Sequence, residues 1–256
     1  MANTFNNKML MDTLKWIQEY NMIEKWDKVL IWISWWKDSL TLLDLLVKIK
    51  KYFYNDEFEI IAVHIKPMVP DFTDVSPWIL EYYEKYKDDI TWVIKEMNLP
   101  KESKVLQWIE EMKTCQWCTY SRRVTLMKYA EEIWATKIAY GHHMDDLVDT
   151  VFMNVMTWSN MNTMPAYNMM ARWNVAIIRP MVLIREADIM KYAMWKELFP
   201  VPCSCPVSKW SFRNEVRDLL DKMDVEYPWF VKKFFEAYKK KLPLTDNIFE
   251  KIKNWK

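Results

Sequence analysis

The segment from Ile33 to Leu40 has the residue types of a phosphate-binding loop. It contains the hydroxyls of Ser34 and Ser39 and the amine of Lys37, and it joins a short apolar run to a stretch with helical spacing. A helix N-terminus presents unpaired backbone N–H groups and the positive end of the helix dipole, which both favour a bound phosphate. The segment therefore predicts a phosphate site, and the alternative is an ordinary helix cap without a ligand.

Glycine, which such loops need, is almost absent from the chain. The sequence has 1 Gly and 16 Trp, whereas average usage would give about 18 Gly in this length. Trp26, Trp134 and Trp195 stand near helix ends and turns, where glycine is usual. We hypothesise that most of these tryptophans are glycines in the functional protein, for instance because a codon read as Gly by the source was translated as Trp. With Gly at positions 35 and 36 the loop reads S-G-G-K-D-S, whereas the indoles of Trp35 and Trp36 would fill the phosphate volume.

Four cysteines form a second candidate site. Cys115 and Cys118 have C-x-x-C spacing, and Cys203 and Cys205 lie in a proline-flanked segment far along the chain. Paired cysteines in a chain expected to be cytosolic favour metal or cluster ligation over a disulfide framework. Thiolate ligation suits zinc or an iron–sulfur cluster, and a persulfide or disulfide relay is the remaining alternative.

A third candidate site follows the predicted strand at 137–140. Gly141 is followed by the imidazoles of His142 and His143 and then by the carboxylates of Asp145 and Asp146, which open a predicted helix. Adjacent imidazoles and carboxylates at a strand-to-helix junction suit Mg²⁺ binding and proton transfer. The two aspartates are equally explained as charges that complement the helix dipole.

The elements that position these residues alternate between strand and helix. The predicted strands are 29–33, 58–65, 90–94, 137–140 and 175–178. The predicted helices before the tail are 9–25, 38–52, 78–86, 104–112, 121–133, 145–156 and 185–198. Such βα units predict an α/β fold with a doubly wound parallel sheet, whose ligands bind beyond the carboxyl ends of the strands.

The tail is predicted to be a small helical appendage. We expect an α/β domain over 1–210, which holds the N-terminal helix and the cysteines, and a helical tail over 211–256. The tail carries a stripe of lysines, which suits either a solvated helix face or an RNA contact.

Composition and hydropathy argue against a disordered, a membrane-spanning and a secreted protein. The 256 residues are 51% hydrophobic and 28% charged with a net charge of +1, which supports a sizeable core and gives no global field for nucleic acid. No run of about 18 uncharged apolar residues and no secretory signal is recognisable. We therefore expect a cytoplasmic protein with no membrane partner.

The ordered set of motifs resembles the tRNA 2-thiocytidine synthetase family, with family glycine positions occupied by Trp. The motifs are S-W-W-K-D-S at 34–39, C-Q-W-C leading into S-R-R at 115–123, G-H-H-M-D-D at 141–146, N-T-M-P at 162–165, I-R-P at 178–180, P-C at 202–203 and Y-P-W-F at 227–230. The resemblance implies a fold of the ATP-pyrophosphatase type (adenine nucleotide alpha hydrolase-like). It also implies an enzyme that uses ATP, Mg²⁺ and a 4Fe–4S cluster to adenylate C2 of an anticodon-loop cytidine and replace its oxygen with sulfur.

The resemblance also implies roles for individual residues. Cys115, Cys118 and Cys203 correspond to the cluster ligands, whereas Cys205 departs from the family pattern. The residues expected to hold ATP are Ser34, Trp35, Trp36, Lys37, Asp38, Ser39, Gly141 and His142. The residues expected to take part in catalysis are Asp38, Asp145, Asp146 and Arg122, with Asp145 or Asp146 on Mg²⁺ or a proton and Arg122 and Arg123 on RNA phosphate or the adenylate. The implied partners are tRNA, a sulfur donor such as a cysteine desulfurase, and a second copy in a homodimer.

Three other interpretations remain. A tRNA 2-thiouridine synthetase shares the chemistry, but the family comparison associates it with zinc-finger cysteines at both ends, and residues 1–114 and 206–256 contain no Cys. A tRNA lysidine synthetase shares the ATP loop and needs no cluster. A non-catalytic zinc- or RNA-binding relative, whose ATP loop is blocked by Trp35 and Trp36, is the alternative from a different class.

Overall fold

A computed structural model of the chain describes residues 2–34, 36–66, 82, 84–97, 115–198 and 212–241, and for 2–6, 115–118 and 241 it describes the backbone alone. The strands are β1 (Lys28–Trp32), β2 (Glu59–Lys66), β3 (Thr91–Glu96), β4 (Lys137–Ala139), β5 (Tyr167–Met170) and β6 (Val175–Ile178). The helices are α1 (Ala2–Glu19), α2 (Lys37–Phe53), α3 (Cys115–Glu132), α4 (Met144–Trp158), α5 (Glu186–Trp195), α6 (Phe212–Glu226) and α7 (Phe230–Lys241).

The strands form one sheet in the order β3-β2-β1-β4-β6-β5. Strands β3, β2, β1, β4 and β6 are parallel, and β5 pairs antiparallel with β6 at the edge. The chain therefore builds outward from β1 through β2 to β3 and then returns to place β4 on the other side of β1. The junction between β1 and β4 is the point where the strand order reverses, which in such sheets is where ligands bind.

Alternate residues of the strands face two separate cores. Leu30 and Ile138 belong to a core shared with Leu126 of α3. Val29 and Ala139 belong to a larger core that includes residues of α1, α2 and α4 to α7. Because successive strand side chains point to opposite faces, helices cover both faces, and the predicted doubly wound α/β class is confirmed.

Strand β5 was not predicted from the sequence. Its residues, Tyr-Asn-Met-Met, are half-buried throughout and show no alternation of apolar and polar side chains, so the periodicity that marks a strand is missing. Helix α3 begins at Cys115, six residues before its predicted start at Ser121. The predicted helix at 104–112 and most of that at 78–86 lie outside the described residues.

Helices α6 and α7 of the predicted tail pack on the main body. Val216 and Leu220 of α6 and Val231 and Phe235 of α7 are buried in the same core as α4. The division at 210/211 remains a prediction. Within the described ranges, no helix combines the length and the apolar character needed to cross a membrane.

Among the residues that the structure describes, three tryptophans adopt the left-handed backbone conformation. Trp26, Trp134 and Trp229 have φ values of 69°, 56° and 70°, and their side chains are 81%, 84% and 65% exposed. A residue with a side chain pays about 1–2 kcal/mol there, a cost that glycine avoids. Trp195 differs, because it is the last residue of α5 and the left-handed residue is Glu197 with φ 55°. The backbone therefore favours glycine at three of the tryptophan positions.

Candidate active site

The first and third sequence motifs meet beyond the carboxyl ends of β1 and β4. A Cβ atom added to Gly141 would lie 2.9 Å from the carbonyl carbon and 3.0 Å from the carbonyl oxygen of Asp38, and 3.1 Å from the amide nitrogen of Ser39. These distances are shorter than a side chain tolerates, and the atoms belong to the backbone of the first turn of α2. The one glycine of the chain is therefore required where the two motifs touch.

Side-chain hydrogen bonds hold the turn that enters α2. The Ser39 hydroxyl donates to the carbonyl oxygen of Trp36 at 3.0 Å and accepts from the backbone N–H of Ser34 at 3.2 Å. Trp36 caps the helix with φ −82° and ψ 152°, and its side chain is 46% exposed. This extended conformation suits any residue, so the backbone at position 36 does not itself require glycine. Trp35 lies outside the described residues.

Lys37 is buried and paired with two carboxylates. Its Nζ lies 2.6 Å from Glu186 Oε1 and 3.2 Å from Asp38 Oδ1. Burial alone would lower the pKa of Lys37, but Asp38 and Glu186 outweigh it, and the pKa lies above its ordinary value. Lys37 is therefore a fixed positive charge at the start of α2.

His143 lies among three carboxylates. Its Nε2 is 3.7 Å from Asp38 Oδ1 and 3.4 Å from Asp146 Oδ2, and its Nδ1 is 3.5 Å from Asp145 Oδ2. Burial alone would lower the pKa of His143, but the carboxylates raise it to about 9. His143 is thus an imidazolium at neutral pH, and we call this group, with Lys37 and Glu186, the acidic compartment.

Arginines from α6 and from the start of α5 neutralise the acidic compartment. Arg185 Nε donates to Asp145 Oδ1 at 2.9 Å, and Glu186 N donates to Asp145 Oδ2 at 2.7 Å. Both oxygens of Asp145 are therefore engaged, and burial, which would raise its pKa, is outweighed by His143 and Arg185, so that the pKa falls to about 2. Asp145 fastens the start of α5 to that of α4.

Arg217 of α6 joins three acidic side chains. It donates to Asp149 Oδ2 at 2.7 Å and to Asp146 Oδ1 at 3.2 Å, and it lies 3.5 Å from Glu186 Oε2. Burial raises the pKa of Asp149 to about 6 in spite of Arg217. The predicted tail thus supplies a counter-charge to the site.

His142 contacts a different set of side chains from His143. Its ring stacks on Tyr140 with centroids 5.5 Å apart, and its Nδ1 accepts a hydrogen bond from Arg179 Nε at 3.2 Å. Burial first, and then the positive charge of Arg179, lowers the pKa of His142 to about 3. We call His142, Tyr140, Arg179 and the nearby Arg123 the basic compartment.

The structure describes the backbone of two of the four cysteines. Helix α3 begins at Cys115 and contains Cys118, while Cys203 and Cys205 lie outside the described residues. Arg122 lies one turn beyond Cys118 and is half-buried. In the part of the chain that the structure describes, no group of three or more His, Cys, Asp or Glu side chains is arranged to hold a metal ion. The assignment of Cys115, Cys118 and Cys203 as cluster ligands remains a prediction.

Several residues of the site were not expected from the sequence. Glu186, Asp149 and Arg217 complete the acidic compartment, and Arg179 completes the basic one. Asp149 follows Asp145 and Asp146 at helical spacing, which was a usable signal. The long-range partners Arg217 and Glu186 left no local pattern.

The chain matches a known domain family and several known proteins. Residues 7–222 match the PP-loop domain family. A tRNA-cytidine(32) 2-sulfurtransferase from Shewanella baltica is 35% identical over 234 residues, covering 89% of this chain and 72% of the relative. One from Aliivibrio fischeri is 32% identical over 249 residues, covering 94% and 77%.

A solved structure shares the fold. It is the U34-tRNA thiolase NcsA from Methanococcus maripaludis with its 4Fe–4S cluster, which matches with a TM-score of 0.73 and 23% identity over 92% of this chain and 78% of that chain. The matches to the domain family and to the two sulfurtransferases confirm the resemblance seen in the sequence motifs. The chain belongs to the PP-loop domain family and, within it, to the family of tRNA-cytidine(32) 2-sulfurtransferases.

Proposed function

We propose that the protein is an ATP-dependent tRNA thiolase that adenylates the C2 oxygen of an anticodon-loop cytidine and replaces that oxygen with sulfur. Membership of the sulfurtransferase family supports the reaction class. The observation that carries the proposal is the contact of Gly141 with the first turn of α2. This contact joins the phosphate-type loop to the histidine–aspartate motif at the point where the strand order reverses.

The start of α2 is suited to the triphosphate of ATP. It offers backbone N–H groups, the positive end of the helix dipole and the charge of Lys37. In the reaction the C2 oxygen attacks the α-phosphorus, the bond to the β-phosphate oxygen breaks, and pyrophosphate leaves. Positioning and charge stabilisation by the fixed cations Lys37 and His143 are the contributions that these residues make.

Asp38 is the carboxylate best suited to Mg²⁺ or a proton. Its Oδ1 is buried and accepts no hydrogen bond of good geometry from the described residues, whereas both oxygens of Asp145 are already engaged. Burial raises the pKa of Asp38. We therefore assign the chemical role to Asp38 and a positioning role to Asp145, with Asp146 between them as a partner of His143.

Cys115, Cys118 and Cys203 are the proposed ligands of a 4Fe–4S cluster. Two of them have the C-x-x-C spacing common to such ligands, and thiolate is the donor that iron–sulfur clusters take. When bound, the cluster would supply the sulfur that forms the new bond to C2, and the C2 oxygen would leave as part of AMP. The target base must be unstacked to enter the site, which suits a loop nucleotide.

The proposed setting follows from this reaction. The substrate is tRNA, a cysteine desulfurase or a similar protein supplies sulfur, and the protein acts in the cytoplasm as a homodimer. These partners rest on the family and on the chemistry of the reaction.

The test replaces Trp35 and Trp36 by glycine. We expect the double variant to bind ATP at least about tenfold more tightly than the parent chain, because removal of the indoles opens the phosphate volume. Isothermal titration calorimetry measures the affinity. The matched control, Trp26→Gly with Trp134→Gly, makes the same chemical change away from the site and should leave ATP affinity unchanged.

Activity is then measured on anaerobically purified protein loaded with iron and sulfide. The double variant should form 2-thiocytidine in unmodified tRNA only when ATP is present, as detected by mass spectrometry of digested nucleosides. A colourless zinc protein that forms no 2-thiocytidine and ignores ATP even with both glycines present would overturn the proposal. That result would favour the non-catalytic RNA-binding alternative.

A further inference from the structure

Glu186 is a carboxylate that lies between the start of α2 and the helix α6. Its Oε1 is 2.6 Å from Lys37 Nζ, and its Oε2 is 3.5 Å from Arg217 Nη1. Its backbone N–H donates to Asp145 Oδ2 at 2.7 Å, which fixes the main chain at the start of α5. None of the sequence motifs includes Glu186, and its position between two cations is therefore the guide to its role.

Glu186 is paired with the cation that the triphosphate of ATP needs. The side chain of Lys37 is only 6% exposed, and its ammonium lies against Glu186 and Asp38. A phosphate oxygen bound to the same ammonium at about 2.8 Å could lie no farther than about 5.4 Å from Glu186 Oε1. Two negative charges at that distance repel each other, and the repulsion is strong where little water reaches. In the free protein, Glu186 therefore opposes the binding of phosphate to Lys37.

Arg217 offers Glu186 a second partner within reach. The Nε and Nη2 atoms of Arg217 donate to Asp149 Oδ2 at 3.1 and 2.7 Å. The Nη1 atom lies 3.5 Å from Glu186, which is longer than the distance of about 2.7–2.9 Å that charged groups reach in a full hydrogen bond. The side chain of Glu186 is 28% exposed, so it has room to turn while its backbone stays fastened to Asp145. A rotation toward Arg217 would shorten this contact and lengthen the one with Lys37.

We propose that Glu186 is a positioning residue that holds Lys37 in the free protein and exchanges it for Arg217 when the triphosphate of ATP binds. The ammonium then contacts phosphate in place of the carboxylate, and no covalent bond or proton is transferred. The exchange rests on the proposed function for the identity of the anion. It gives α6 a part in the site, because Arg217 keeps the displaced carboxylate away from the phosphates. Nucleotide binding and the docking of α6 thereby strengthen each other.

The exchange differs from a structural ion pair in the sign of one effect. In both cases, loss of the Glu186 charge leaves a buried ammonium with less compensation, so the free protein becomes less stable. If Glu186 only braces Lys37, the same loss also leaves the ammonium poorly positioned and weakens ATP binding. If Glu186 competes with phosphate, ATP binding becomes tighter, because the carboxylate no longer has to be displaced. Lower stability together with higher affinity therefore distinguishes the exchange from a structural role.

Glu186→Gln is the test variant, and the reference is the full chain with glycine at positions 35 and 36, in which all variants are made. Glutamine keeps the size of the side chain and removes its charge. We expect the dissociation constant for ATP, measured by isothermal titration calorimetry with Mg²⁺, to fall about fivefold. The unfolding temperature without nucleotide should fall as well. Asp188→Asn is the matched control, because it removes one charge from the same helix, and Asp188 contacts Lys191 at 3.6 Å. The control should leave the affinity for ATP within about twofold of the reference value.

A double-mutant cycle tests the part of Arg217. Arg217→Gln removes the partner that receives Glu186, so it should weaken ATP binding in the reference chain. In the Glu186→Gln background there is no carboxylate to receive, and the loss of affinity caused by Arg217→Gln should be about fivefold smaller. Arg213→Gln is the control, since Arg213 lies on the same helix and contacts Asp146 at 3.5 Å, and its effect should be the same in both backgrounds. An equal loss from Arg217→Gln in both backgrounds would contradict the exchange.

These measurements separate a failure of the exchange from a failure of the proposed function. If the reference chain binds no ATP, the proposed function is overturned and the exchange is overturned with it. If the reference chain binds ATP but Glu186→Gln binds it equally or more weakly, the exchange alone is overturned, and Glu186 is a structural partner of Lys37. Tighter binding in Glu186→Gln, unchanged binding in Asp188→Asn and a smaller effect of Arg217→Gln in the Glu186→Gln background together support the exchange.

Discussion

The acidic and the basic compartment contain neighbouring histidines with opposite properties. His143 lies within 3.7 Å of three carboxylates, which raise its pKa to about 9. His142 lies beside a buried arginine, and its pKa falls to about 3. One residue is a cation at neutral pH and the other is not, although both are imidazoles at the same junction.

The difference arises because the alternation of side chains in β4 continues beyond Ala139, the last residue of the strand. Ile138 and Tyr140 belong to the core on the α3 side, and His142 stacks on Tyr140. Ala139 belongs to the other core, and Gly141 contacts α2 on that side. A shift of one residue would exchange the two histidines. The local electrostatics are therefore set by register.

The largest expected effect is that of His143→Gln. Because the folded-state pKa of His143 is raised from 6.5 to about 9, its contribution is full below pH 6.5 and is lost as the pH rises through 9. We expect the variant to be less stable by about 3 kcal/mol at pH 6 and nearly equal to the parent at pH 10. Urea unfolding across this range measures it, and a difference that stays constant with pH would show that His143 is neutral in the folded protein.

The second effect tests the dependence of the acidic compartment on α6. Arg217→Met leaves the buried carboxylate of Asp149 without its partner, and we expect a loss of about 2 kcal/mol, reduced because Arg217 is partly exposed. Adding Asp149→Asn should restore most of the loss. Arg213→Met is the control, since Arg213 makes one 3.5 Å contact with Asp146 and is 39% exposed. Equal losses of stability in Arg217→Met and Arg213→Met would contradict the assignment of Arg217 as the partner of Asp149.

The third effect is the loss of stability at acid pH that His142 causes. The pKa of His142 is depressed from 6.5 to about 3, so below pH 6.5 the unfolded chain binds a proton that the folded protein does not, and stability falls with the pH. We expect this proton uptake to lower the free energy of unfolding by about 2 kcal/mol at pH 5. The free energy of unfolding of His142→Gln should therefore fall less steeply below pH 6.5 than that of the parent. Its dependence on pH in the alkaline range should be unchanged. A variant whose acid limb is as steep as the parent's would refute the assignment.

The smallest effect lies outside both compartments. Trp134→Gly removes a side chain from a left-handed backbone position with φ 56°, and the relief of strain exceeds the entropy cost of glycine by about 0.5–1 kcal/mol. Both limbs of the pH profile should be unchanged. Trp158→Gly is the control, because Trp158 is also largely exposed, at 76% against 84% for Trp134, but is helical, and the variant should lose stability. Equal changes in both variants would remove the argument for glycine at position 134.

The sequence predicted the fold better than it predicted the surroundings of the site. Strands such as β1 and β6 are short apolar runs, and the βα order limits the topology to a few solutions. Strand β5 was missed because Tyr167 to Met170 carry no periodic pattern and are held by pairing with β6. The partners of Asp149 and Lys37 were missed because they are 68 and 149 residues away in the chain.

By itself, the sequence determined the family, the α/β class, the loop at 34–39 and the glycine deficit, because each of these is written in residue types at short spacing. Only the tertiary structure decided that Gly141 must lie against α2, that Asp145 is already engaged, and that Glu186 lies between Lys37 and Arg217. It also decided which histidine carries a charge. The physical reason is that burial and the proximity of charges depend on how distant segments pack, and the residue types of two adjacent histidines contain no information about either.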